Sequence, residues 1–166
     1  RQHDFREATS LAKRARELSP SLTRRTTVIV LSDLHDPGSL EALQVIAQRN
    51  DCVVCVSGPE DHVLAPDGRH AVLRNGHPLM TRVTGVGCSA SALVGAFAAV
   101  QPDTWRACAS AMAYWGVVGQ IAAERMTPDT GTGRYATALL DVASTLTPAE
   151  LAATFRIKTS GCQTQS

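Results

Sequence analysis

Two runs constrain this chain most, Thr26-Thr27-Val28-Ile29-Val30-Leu31 and Cys52-Val53-Val54-Cys55-Val56. Each is short, β-branched and almost wholly apolar, as in a strand buried on both faces rather than one that alternates between core and water. Between them Asp36-Pro37 opens a helix, with Asp as a favoured N-cap and Pro at a position whose N–H is not needed. Leu40, Leu43, Ile46 and Ala47 form the buried stripe of that helix. Strand, helix and strand within about 30 residues make a βαβ unit, with parallel strands and a right-handed crossover.

At 166 residues the chain has room for one domain or a piece of one. It is 44% apolar but only 4% aromatic, so its interior is built from Ala, Val, Leu and Ile, which suits helices packed on a sheet and gives an α/β fold class. With 16 Lys+Arg against 15 Asp+Glu there is no pervasive field to draw nucleic acid or an anionic membrane, so neither is an expected partner. Five cysteines, an odd number at irregular spacing, argue against a disulfide framework and for a reducing, cytoplasmic setting. No apolar stretch approaches the roughly 18 residues of a membrane span, and Arg1-Gln2-His3-Asp4 opens no secretory segment. The chain begins without Met, which suits a processed or truncated piece.

Elsewhere, Phe5, Ala8, Leu11, Ala15 and Leu18 recur at helical steps and predict an amphipathic helix, broken at Ser19-Pro20-Ser21. Pro66-Asp67-Gly68 is a turn between two short extended runs, hence a β-hairpin. A short extended piece is expected over 81–84. The apolar stretch 89–100 reads as a helix buried all round, and residues 103–125 as a longer helix with Trp105, Cys108, Met112, Trp115 and Val118 inward. After a loop at 127–133, a helix carries Tyr135, Ala138, Leu139 and Val142, and Thr147-Pro148-Ala149-Glu150 is a capping box that starts another. A disordered tail is expected over 159–166.

The sharpest chemical signal is Thr84-Gly85-Val86-Gly87-Cys88, between an extended segment and a helix. Two glycines at alternate positions let the backbone turn tightly and leave its N–H groups open, and the helix adds its partial positive charge, so the turn is a candidate anion hole. At such a helix start a cysteine thiol ionises more readily, which makes Cys88 a candidate base or hydrogen-bond partner.

The stretch from Asn75-Gly76-His77-Pro78-Leu79-Met80-Thr81-Arg82-Val83 through that pentapeptide to Ser89-Ala90-Ser91-Ala92 resembles, without a gap, the signature of hydroxyethylthiazole kinases, a branch of the ribokinase-like superfamily. Val54-Cys55-Val56-Ser57-Gly58 with Asp61, and Gly131-Thr132-Gly133-Arg134 through Leu140-Asp141, resemble two further family motifs in the right order, so that the likeness runs from 37 to 158. The resemblance implies the C-terminal portion of a three-layer αβα sandwich over 37–158, with residues 1–36 as an unmatched N-terminal segment. It also implies ATP-dependent phosphorylation of the hydroxyl of 4-methyl-5-(2-hydroxyethyl)thiazole in thiamine biosynthesis, with Mg2+ accompanying the nucleotide and a homotrimer as the assembly.

By the same resemblance Gly85, Val86 and Gly87 are the backbone donors to the transferred phosphate, with Gly85 also near the thiazole alcohol. Cys88 stands where the wider superfamily carries an Asp taken as the general base, and Ser57 is the hydroxyl that touches ATP. The sequence departs from the family at Val86, usually Thr or Ala, and at Arg134, usually Phe. The metal ligands are left unassigned, because the family's Asn-x-x-Glu motif for Mg-ATP has no counterpart in 1–36. A second function class therefore stands beside the first: a truncated, catalytically incompetent kinase that binds a nucleotide or a partner.

A third reading takes Ser32-Asp33-Leu34-His35 as the Asp-x-His opening of a metallophosphoesterase, with Asp61, His62 and His77 recruited as further ligands. That chemistry needs a bridging carboxylate after the second strand, where this chain has Gly58-Pro59, whose side chains bind no metal. Cys52 and Cys55 look like a C-x-x-C pair, but on a strand their odd spacing sends them to opposite faces, so core packing is expected. Arg24-Arg25 reads as a solvated face, and Trp105 and Trp115 as core or subunit contact.

Overall fold

The structure, a computed structural model, describes residues 27–31 and 38–161. The expected helix over 5–18, the Arg24-Arg25 pair and the Asp36-Pro37 cap lie outside the described residues. The βαβ unit is present: β1 (Thr27–Leu31) runs parallel to β2 (Val53–Ser57), in register from Thr27↔Val53 to Leu31↔Ser57. Between them lies α1 (Ser39–Asn50), which ends on Asp51 in the left-handed region, where its N–H donates to the Ala47 carbonyl.

From β2 the sheet continues antiparallel through β3 (Asp61–Leu64) and β4 (His70–Leu73), the hairpin that Pro66-Asp67-Gly68 predicts. The last strand to join is β5 (Ile157–Ser160), giving the order β1-β2-β3-β4-β5. This corrects the start of the expected tail, where Thr159 pairs with Ala71 and Ser160 with His70; the rest of it, 162–166, lies outside the described residues. Sequence alone hides β5, because it is exposed throughout and is specified by the open edge of β4 rather than by an apolar pattern.

Alternate residues of β2 feed two cores. Cys52, Val54 and Val56 pack with Leu64 against Leu43, Ile46 and Ala47 of α1. Val53 and Cys55 face the other way, with Val63, Ala71 and Leu73, against α3 (Thr104–Glu124). Cys52 and Cys55 thus lie on opposite faces, as their spacing requires, and α1, sheet and α3 form three layers.

Helix α3 buries Trp105, Cys108, Met112, Trp115 and Val118 as expected, and Asp103 caps it by accepting the Arg106 N–H at 3.1 Å. The Trp105 indole donates to the Val63 carbonyl at 3.1 Å, tying helix to sheet. On one side of α3 lies α2 (Val86–Val100); on the other lies α4 (Thr132–Thr145), which buries Tyr135, Ala138, Leu139 and Val142. The Thr147/Glu150 capping box opens α5 (Pro148–Thr154).

Two further expectations are corrected. The expected extended piece over 81–84 is not a strand: Val83 is extended, but Thr81 and Arg82 end a 3₁₀ helix over Pro78–Arg82, because Pro78 stands at its first position and the His77 ring caps it by accepting the Leu79 N–H at 3.2 Å. Helix α2 is not buried all round: only Ala90 and Val94 are buried, and Val100 is 83% exposed. Its apolar composition exceeds what α3, its main partner among the described residues, covers.

Candidate functional site

The carboxyl end of a parallel strand, where the chain leaves the sheet, is where α/β folds place ligands. At that end of β2 opens a cleft of about 720 Å³. One wall is the β2–β3 turn with Ser57, Gly58 and Asp61. The second is the chain after β4, including Arg74, Asn75 and His77. The third is the start of α2 with Gly85, Val86 and Gly87, and Met112, Trp115 and Gly116 of α3 also line it. Ser57 and the Gly85–Gly87 turn, far apart in sequence, therefore share one cavity.

The turn has the geometry of an anion hole. Gly85 is in the left-handed region, with φ of 92°, a conformation that disfavours any residue with a Cβ. It begins α2 with its carbonyl accepting the Ser89 N–H at 2.9 Å, while no side chain caps the helix. The N–H groups of Val86, Gly87 and Cys88 belong to the first turn, where a helix offers no acceptor, and they lie at the positive end of its dipole. The Trp115 indole donates to the Val86 carbonyl at 3.2 Å, so the buried helix α3 fixes where this turn sits. Cys88 is exposed and is not among the residues that line the cleft.

Across the cleft the packing is close. Asn75 is buried and fully engaged: its amide donates to Gln120 Oε1 at 2.8 Å and to the Thr154 carbonyl at 3.0 Å, and its Oδ1 accepts the Arg156 N–H at 2.6 Å. Gly116 permits this, because a Cβ there would stand 3.0 Å from Asn75 Cβ. Met80 occupies the space that a side chain at Gly119 would need.

Asp61, in sequence only a member of a family-like motif and a candidate metal ligand, is the cleft's carboxylate. Its Cα partner on β4 is Leu73, a residue of the α3-side core, so Asp61 faces that side, as does Ser57 by alternation from Cys55. Its Oδ1 accepts the Gly58 N–H at 3.1 Å. Burial raises its pKa to about 6, against the opposing pull of that hydrogen bond. Beneath it, the Cys55 thiol is pushed well up by its hydrogen bond with Cys108, by burial and by the charges of Cys108 and Asp61.

The metallophosphoesterase reading draws no support from the described residues. Asp33 and His35 lie outside the described residues, His62 pairs with His70 at 3.0 Å, and no three His, Cys, Asp or Glu side chains converge among the described residues. No helix among them is long and apolar enough to cross a membrane. Trp105 and Trp115 are both buried in the core.

Residues 30–149 match the hydroxyethylthiazole kinase family, so the likeness begins earlier than residue 37 and takes in the end of β1. A hydroxyethylthiazole kinase of Leptothrix cholodnii is 55% identical over 111 residues, which are 66% of this chain and 40% of that protein. One from Desulfotalea psychrophila is 41% identical over 121 residues, 72% of this chain and 42% of that one. This chain thus spans about 40% of the length of these curated relatives. In three dimensions it is similar to a hydroxyethylthiazole kinase of Pyrococcus horikoshii, with a TM-score of 0.69, 24% identity, and coverage of 80% of this chain and 55% of that one. The α/β, ribokinase-like fold expected from sequence is the one observed.

Proposed function

Since this chain belongs to the hydroxyethylthiazole kinase family, we propose that its cleft transfers the γ-phosphoryl group of ATP to the hydroxyl of 4-methyl-5-(2-hydroxyethyl)thiazole, a step of thiamine biosynthesis. The observation that carries this reading is the meeting of Ser57 with the uncapped Gly85–Gly87 turn in one cavity. Phosphoryl transfer asks for alignment and charge neutralisation more than for covalent help. The N–H groups of Val86 and Gly87, with that of Cys88, are aimed where a transferring phosphoryl group gathers negative charge, and being fixed by α3 they need no reorganisation as it moves. The Ser57 hydroxyl holds the nucleotide, and Cys88, in the first turn of α2, orients the incoming alcohol.

Mg2+ fits as a companion of the nucleotide. A hard cation that keeps most of its waters binds through substrate phosphates, and the described residues offer no three-ligand cage of their own. When bound, it supplies charge neutralisation on the phosphates. A homotrimer in the cytoplasm completes the reading.

A second reading rests on the roughly 40% of the relatives' length that the chain spans: a nucleotide-binding module without catalysis. One pair of experiments separates them, an assay of phosphate transfer to the thiazole alcohol beside a nucleotide-binding titration. Transfer supports the kinase, whereas nucleotide binding without transfer supports the module.

A further inference from the structure

We propose that Asp61 is the residue that receives the acceptor alcohol: its free carboxylate oxygen accepts the hydrogen bond of the substrate hydroxyl and takes its proton as phosphoryl transfer proceeds. This rests on the kinase reading of the cleft and deepens it.

Among the polar groups of the cavity, Asp61 is the one with an oxygen to spare for a proton. A proton acceptor must face the bound alcohol and have a lone pair to spare. Asn75 has neither a proton-accepting base nor an unused amide. His77 spends Nδ1 on accepting the Leu79 N–H, so its remaining ring nitrogen carries the proton and is a donor, not an acceptor. Arg74 is a cation, paired with Glu60 at 2.8 Å. The Thr81 hydroxyl donates to the Pro78 carbonyl at 2.8 Å. Asp61 has one oxygen held by the Gly58 N–H, which fixes the carboxylate, and no second donor among the described residues.

The surroundings suit the task. From β2 the nearest titratable group is the Cys55 thiol; from α3 come Met112, Trp115 and Gly116, which carry no charge; from α2 come only backbone donors. Just before β3, Glu60 pairs with Arg74, and on β3 His62 is turned to the α1 side, against His70. A partly buried carboxylate so placed is a stronger base than one in water, yet still ionised at neutral pH. The step balances: the O–H bond breaks toward Asp61, the alcohol oxygen forms the new O–P bond, and the bond from phosphorus to the leaving diphosphate breaks. The proton then returns to solvent.

The test uses the full chain and two probes, 5-(2-hydroxyethyl)-4-methylthiazole and its deoxy analogue 5-ethyl-4-methylthiazole, titrated by calorimetry between pH 5 and 8 in the presence of a non-hydrolysable ATP analogue. Wild type should prefer the alcohol by about tenfold or more at pH 8, the scale of a hydrogen bond to a charged group, and lose that preference through pH 6. Asp61→Asn, which keeps an oxygen for the Gly58 N–H, should bind both probes alike at every pH while binding the nucleotide as wild type does. Retained, pH-dependent preference for the alcohol in Asp61→Asn would overturn the proposal while leaving the kinase reading intact. Wild type that binds neither thiazole would overturn both.

Discussion

Asp61 carries a consequence for stability that does not depend on substrate. Its folded-state pKa of about 6 lies above the usual carboxylate value near 3.8, so the folded chain binds more protons than the unfolded one across that window. This group therefore makes stability fall as pH rises from about 4 through about 6. Asp61→Asn should raise stability at pH 7 by about 1–2 kcal/mol, reduced from the full linkage value because the side chain is partly solvated, and by nothing below pH 4. Urea unfolding at pH 7 and at pH 3.5 checks this; an equal gain at both would contradict it. Ser57→Ala should weaken nucleotide affinity by about 1 kcal/mol, one neutral hydrogen bond, without changing the KM for the thiazole. An unchanged nucleotide affinity with a raised thiazole KM would reverse the assignment. Cys88→Ala should lower kcat by about 10²-fold through misalignment of the alcohol, and Cys88→Asp should retain more activity, since a carboxylate suits a helix N-terminus. Equal turnover by Ala and wild type would leave Cys88 only its backbone role.

Among the elements, those specified by local pattern were legible in the sequence and those specified by partners were not. The β1–α1–β2 unit, the hairpin, α3 and the α5 capping box follow from periodicity, turn residues and caps. The composition of α2 predicts full burial because it reports what a helix is suited to bury, whereas actual burial depends on what lies beside it. The 3₁₀ helix at Pro78–Arg82 escaped because its cap is a histidine ring, outside the usual Ser, Thr, Asp and Asn signals. Within the site, the Gly85–Gly87 turn and Ser57 were legible through motif order. The chemistry of Asp61 was not, because its raised pKa arises from burial, which no spacing reveals. Gly116 is a further case: Gly116→Ala would press a methyl group against Asn75, which three hydrogen bonds hold in place. The substitution should destabilise by about 1–3 kcal/mol despite the better helix propensity of Ala. A variant as stable as wild type in urea would show that the Asn75 segment yields freely.

For the whole molecule, the outward apolar side of α2 and the exposed Leu140 at 67% and Phe155 at 44% are surface that a lone particle leaves to water. If the proposed trimer forms, light scattering at micromolar concentration should report more than one chain per particle; a clean monomer would favour the reading as a module. The central claim is that the backbone N–H groups at the start of α2 hold the phosphate to be transferred. Amide chemical shifts of the full chain, followed while a non-hydrolysable ATP analogue is added, test it most directly. Val86, Gly87 and Cys88 should show the largest shifts, in parallel with a smaller change at Ser57. Saturable nucleotide binding that leaves those three amides unmoved and perturbs residues outside the cleft would contradict it.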